Sequence, residues 1–210
     1  EVKWLGTPRH YEQLPQYWQR IAKTTVKVPK AYIVPAQYTE VIERLRGHGI
    51  VMKPLAPSKK QTFEQLTADK VEFGKKPFEG RMRAEATFSR REVPAEVVAE
   101  AVKGAMRIST DQPLGKLATA LLEPSGPDSF FAWGFFNQMF QRTEYIENYA
   151  IIPLAKKMMA EDRQLKQAFE AKLKSDKTFA DDPRARLDFF YKLTPYYDTH
   201  YLQYPVLLER

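Results

Sequence analysis

Arg107-Ile108-Ser109-Thr110-Asp111-Gln112-Pro113-Leu114-Gly115-Lys116-Leu117-Ala118-Thr119-Ala120-Leu121-Leu122-Glu123-Pro124 holds a strand end, a helix start, an apolar helix face and a proline stop in one run. Asp111 or Gln112 can cap the helix, and Pro113 supplies a φ already set for its first turn. Leu114, Leu117, Leu121 and Leu122 recur at helical spacing, so one face is apolar. Pro124 closes the helix, because the residue before a proline is pushed out of the α region. Ser125-Gly126-Pro127-Asp128 is a turn by composition. Phe130-Phe131-Ala132-Trp133-Gly134-Phe135-Phe136 then forms the densest aromatic run of the chain. Aromatics this close together are buried or bind something, and the whole stretch Arg107–Phe136 is expected in the middle of the core.

Upstream, Ala31–Val34 reads as a short buried strand. Pro35 opens a helix through Arg46, with Tyr38, Val41, Ile42 and Leu45 on one face and Glu40, Glu43, Arg44 and Arg46 outward. Gly47-His48-Gly49 stops it, and Ile50–Leu55 follows as a second strand. Strand, helix and strand with tight joints predict a βαβ unit with a parallel pair. From Thr62 the period becomes two. Val71 and Phe73 alternate with charges; after Lys75-Lys76-Pro77, Met82, Ala84, Ala86 and Phe88 alternate with Arg81, Arg83, Glu85 and Thr87. Glu96–Lys103 reads as a helical turn or a strand, and Ala105–Ser109 as a strand feeding the helix above. The expected fold class is α+β: a small mixed sheet containing one βαβ unit, packed with helices and followed by a helical tail.

Three regions divide the chain. Residues 1–29 form an extended arm rich in aromatics and prolines (Trp4, Pro8, Tyr11, Pro15, Tyr17, Trp18), with a short helix possible over Gln16–Lys23. Such an arm gains by lying on an apolar surface, of this chain or of a neighbour. Residues 30–140 form the mixed core. Residues 141–210 form a helical extension, in which Leu165, Phe169 and Leu173 repeat at helical spacing, Asp162 is a cap, and Asp181-Asp182-Pro183 starts a further helix. Tyr196, Tyr197, Tyr201 and Tyr204-Pro205 close the chain in irregular form.

With 210 residues, 43% hydrophobic and 28% charged, the composition is that of a globular protein with a real core. No apolar run approaches the ~20 residues that span a bilayer, so no membrane span is expected. Glu1-Val2-Lys3-Trp4 is neither a start methionine nor a signal sequence, which suggests a longer gene product. The absence of cysteine excludes disulfides, thiolate metal sites and a cysteine nucleophile. The net charge of +7 comes from bases interleaved with acids, a solvated surface and not a nucleic-acid patch.

Zinc peptidase motifs need ligands a helical turn or a tight loop apart, such as His-x-x-Glu. Three residues after His10 stands Gln13, after His48 Val51, and after His200 Gln203, so each histidine fails. His10 lies two before Glu12, a spacing common by chance. Gly-x-Ser-x-Gly, a phosphate loop and a dinucleotide fingerprint are absent. Asp181 with Asp182 suits helix capping, and Asp69 with Glu72 a wet strand face. Trp133 and its phenylalanines suit a core better than a stacking platform. The sequence therefore assigns no catalytic, cofactor-binding or metal residue.

Pro29-Lys30-Ala31-Tyr32-Ile33-Val34-Pro35-Ala36, Val41–Ile50, Asp111–Ala118, Leu121-Leu122-Glu123-Pro124 and Trp133-Gly134-Phe135-Phe136 together resemble the region after the catalytic domain in large bacterial zinc carboxypeptidases of the carboxypeptidase A-like family. Met159–Asp162, Phe169-Glu170, Ala185–Tyr191 and Tyr204-Pro205-Val206 extend the likeness to the end. None of these motifs is catalytic. The family's His-x-x-Glu pair, later histidine and glutamate base have no matching position here, so zinc is expected in a separate catalytic domain and none in this chain. The resemblance implies a non-catalytic accessory domain that buttresses the peptidase or shapes substrate entry, in a periplasmic or secreted enzyme. Its partners would be the catalytic domain of the same polypeptide and a peptide substrate. The alternative is an independent module for peptide or cell-wall material, centred on Trp133.

Overall fold

Alternating patterns give the two longest strands, β3 (Thr62–Phe73) and β4 (Ala84–Pro94), which pair antiparallel along their whole length with one bulge at Asp69. The computed structural model describes residues 2–18, 22, 24–56, 61–142 and 145–210. Among these, β1 (Ala31–Val34), β2 (Lys53–Pro54), β5 (Met106–Ser109) and β6 (Leu207–Glu209) complete one six-stranded sheet in the order β2-β5-β1-β6-β3-β4. Every ladder is antiparallel.

The α+β class stands. β1, α1 (Thr39–Gly47) and β2 follow in the expected order, but the direct parallel pair does not form. β5 lies between β1 and β2, antiparallel to each, which makes a split βαβ arrangement. The reason is local. The Gln112 side chain accepts from the Val51 N–H at 2.8 Å and donates to the Val51 carbonyl at 3.1 Å. Both backbone groups of Val51 are thus taken, and Pro54 has no N–H to give a ladder. The expected strand Ile50–Leu55 shrinks to two residues, while β5 offers four residues in register with β1.

The same glutamine explains a second difference. With its amide committed to Val51 and to the Ser109 carbonyl, Gln112 caps nothing, and α2 (Gly115–Leu122) starts uncapped at Gly115. It ends before Pro124 as expected, with Glu123 extended. α1 begins at Thr39, four residues after Pro35, because Tyr38 N–H closes a turn on the Pro35 carbonyl. Residues 95–104 are a succession of turns, neither helix nor strand.

One face of the sheet (Tyr32, Val34, Leu66, Ile108, Leu208) packs against α1, α2 and the aromatic run, with Phe130, Phe131 and Phe136 buried. The opposite face (Ile33, Phe63, Val93, Leu207) is covered by Ala95, Val98, Val102 and Ala105. Tyr204-Pro205 is irregular as expected, but the chain continues past it into β6, a strand the sequence pattern does not announce. Tyr204 is fully buried, its hydroxyl donates to the Leu122 carbonyl at 2.7 Å, and β6 then runs between β1 and β3. Arg210 fixes this strand by pairing with Glu64, which also holds Arg90; Arg90 in turn reaches the buried Glu123.

α3 (Asn148–Glu161), α4 (Arg163–Ser175), α5 (Lys177–Asp181) and α6 (Pro183–Tyr191) build a cluster of their own around Ile151, Ala155, Phe190 and Tyr191. Asp162 caps α4 and Asp182 caps α6 through two N–H groups each, as their positions predict. Asp176 caps α5 as well, its side chain accepting from the Phe179 N–H.

Candidate functional site

A cleft of about 710 Å³ opens on the second face of the sheet. From the strands come Gln65 and Arg91, which stand opposite one another in the β3–β4 register, and Leu207 of β6. Val97, Val98, Ala101 and Val102 of the turn segment make an apolar side. Gln37 and Tyr38 from the turn before α1, Gln138 and Gln141 from the loop after the aromatic run, and Asp198–Tyr201 with Gln203 complete the lining.

Backbone bonds fasten these segments. Leu202 N–H donates to the Met139 carbonyl, Ala68 N–H to Leu202, and Tyr204 N–H to Leu66, so the run into β6 is tied both to the loop and to β3. Leu202 accepts a φ of 65° to make the turn. Gln65 is buried and donates to the Tyr204 carbonyl at 3.3 Å. Burial pushes the Tyr38 phenol above its ordinary range, and its hydrogen bond with Gln138 pulls the other way. Asp198 accepts from the His200 backbone N–H at 2.9 Å and lies 3.5 Å from His200 Nδ1.

The lining is amide-rich and carries one guanidinium, Arg91, and one carboxylate, Asp198, among the described residues. Among the described residues no carboxylate pairs with Arg91. Asp198 and His200 are two donors suited to a metal, yet no third His, Asp or Glu joins them among the described residues. The donor set does not fit a peptidase zinc.

The other residues weighed in the sequence lie apart. His10 is exposed on the arm, and His48 is exposed at the end of α1. Asp182 caps α6 and Asp181 ends α5. Asp69 sits in the β3 bulge, and Glu72 pairs with exposed Lys70 at 2.8 Å. Trp133 is half-buried, with the Arg83 guanidinium 4.5 Å over its ring and its indole N–H donating to Asp128. His200 alone reaches the cleft. Its glutamines and Arg91 follow no spacing that a sequence reading could detect.

The chain is 29% identical over 106 residues to Carboxypeptidase 2 of Trichophyton tonsurans, a match covering 50% of this chain and 19% of that protein. It is 28% identical over 109 residues to Carboxypeptidase 2 of Trichophyton rubrum, with the same shares. It thus spans about a fifth of the length of the curated relatives it matches. No family model and no solved structure matches.

Proposed function

We propose that this chain is a non-catalytic accessory region of a bacterial zinc carboxypeptidase of the carboxypeptidase A-like family, supporting the peptidase body or shaping the approach of its substrate. The likeness to proteins named Carboxypeptidase 2, over half of this chain and 19% of their length, carries the reading. Peptide-bond hydrolysis, the zinc and its ligands are assigned to the peptidase body, and the place of action to the periplasm or the exterior. The chain's freedom from cysteine suits an oxidising compartment.

The arm supports the same reading. Trp4, Tyr17 and Trp18 are 92%, 93% and 81% exposed. Burying a large apolar side chain contributes ~1.5–3 kcal/mol, so these rings have much to gain from a neighbour's apolar surface, here that of the peptidase body. The test is association. The chain, mixed with the separately expressed remainder of its parent polypeptide, is expected to co-elute on a sizing column. Changing Trp4, Tyr17 and Trp18 to Ser is expected to abolish the complex. Separate elution of both partners at micromolar concentration counts against the role.

A further inference from the structure

We infer that the cleft beside β6 is a binding site for an extended peptide that carries a carboxylate, held by glutamine amides and anchored by Arg91. The inference stands on the cleft alone and does not require the peptidase reading.

Five of the chain's twelve glutamines (Gln37, Gln65, Gln138, Gln141 and Gln203) come from four separate segments to line one cleft. A primary amide offers both donors and an acceptor, the same complement that a peptide group presents. Amide side chains on several sides can therefore follow a backbone without demanding a particular sequence. The apolar side formed by Val97, Val98 and Val102 suits the ligand's side chains, and about 710 Å³ lies within the ~300–1,000 Å³ usual for ligand sites.

Arg91 sets the ligand's charge. It lines the cleft and is exposed, and no described carboxylate pairs with it. The cleft's acid, Asp198, already faces His200. A guanidinium with no carboxylate partner among the described residues favours a ligand carboxylate, which it can grip through two parallel bonds. The carboxylate could be a peptide's free carboxy terminus or an acidic side chain. A saccharide fits less well. Sugars stack on open aromatic faces, whereas Tyr38 packs edge-on against Phe136 and Arg142 covers a face of Tyr201.

The experiment is a titration of the isotope-labelled chain with three probes, followed by amide NMR. The probes are tetra-alanine as the free acid, tetra-alanine amide, and tetra-alanine amide with one alanine replaced by glutamate. Saturable shifts at the side-chain amides of Gln138, Gln141 and Gln203 are expected with the free acid or the glutamate peptide. Whichever of the two saturates at lower concentration identifies the source of the carboxylate. The neutral amide is expected to bind about tenfold more weakly. Arg91→Gln, at an exposed position, is expected to level these affinities while leaving the remaining spectrum in place. Gln138→Ala with Gln141→Ala is expected to weaken all three probes. The inference is overturned if no probe saturates at millimolar concentration, or if the neutral amide binds as well as the acids.

Discussion

A side chain at Gly115 would have nowhere to go, since its Cβ would stand 1.9 Å from the Thr110 carbonyl oxygen. The clash is with backbone, so no rotamer relieves it. Gly115→Ala is expected to destabilise the protein by ~1–3 kcal/mol, the range for overpacking, read as a lower urea midpoint with an unchanged slope. Glu64, the most buried of the carboxylates held below their ordinary range, contributes to the acid response. Hydrogen bonds from Arg210, then Arg90, hold its carboxyl below the ordinary glutamate range against a partial desolvation cost. A carboxylate depressed in the folded state contributes stability that is fully present above its unfolded pKa and lost as pH falls through the folded one. Urea melts are therefore expected to weaken below about pH 4, and Glu64→Gln is expected to flatten that decline. An equally steep decline in Glu64→Gln would assign the acid sensitivity elsewhere.

At the scale of the element, β6 matters beyond its length. Its three residues lie between β1 and β3, and Leu207 and Leu208 are buried on opposite faces. Removing residues 207–210 separates the β2-β5-β1 half of the sheet from β3-β4. The expected outcome is loss of cooperative unfolding by circular dichroism; a retained sigmoidal melt would show that the halves hold through their helices. Asp162→Ala and Asp182→Ala remove caps and should each cost about 1 kcal/mol, checked by thermal melts. These two caps were legible because capping is local chemistry: an acid followed at once by a helical pattern. β1 was legible too, as an unbroken run of strand formers. β6 was not, because Leu207-Leu208-Glu209 shows no period and its partners lie far away in the chain. The split of the βαβ unit was hidden likewise, since it depends on a long-range bond between Gln112 and Val51. The cleft was the least legible feature, for its glutamines share a place and no pattern.

Across the whole molecule, the aromatic arm and the amide-rich cleft are the two surfaces proposed to meet partners. They make separate demands. Deleting residues 1–18 is expected to shift the melting temperature by less than about 2 °C, because the arm's large rings contribute little burial to this chain. The central claim is that the chain serves chemistry performed elsewhere in its parent protein. The most direct measurement incubates the chain with zinc, removes free metal, and determines both bound zinc and release of amino acids from peptide carboxy termini. The account predicts far less than one zinc per chain and no release above a protein-free control. One firmly held zinc per chain, with hydrolysis that a chelator stops, would contradict it.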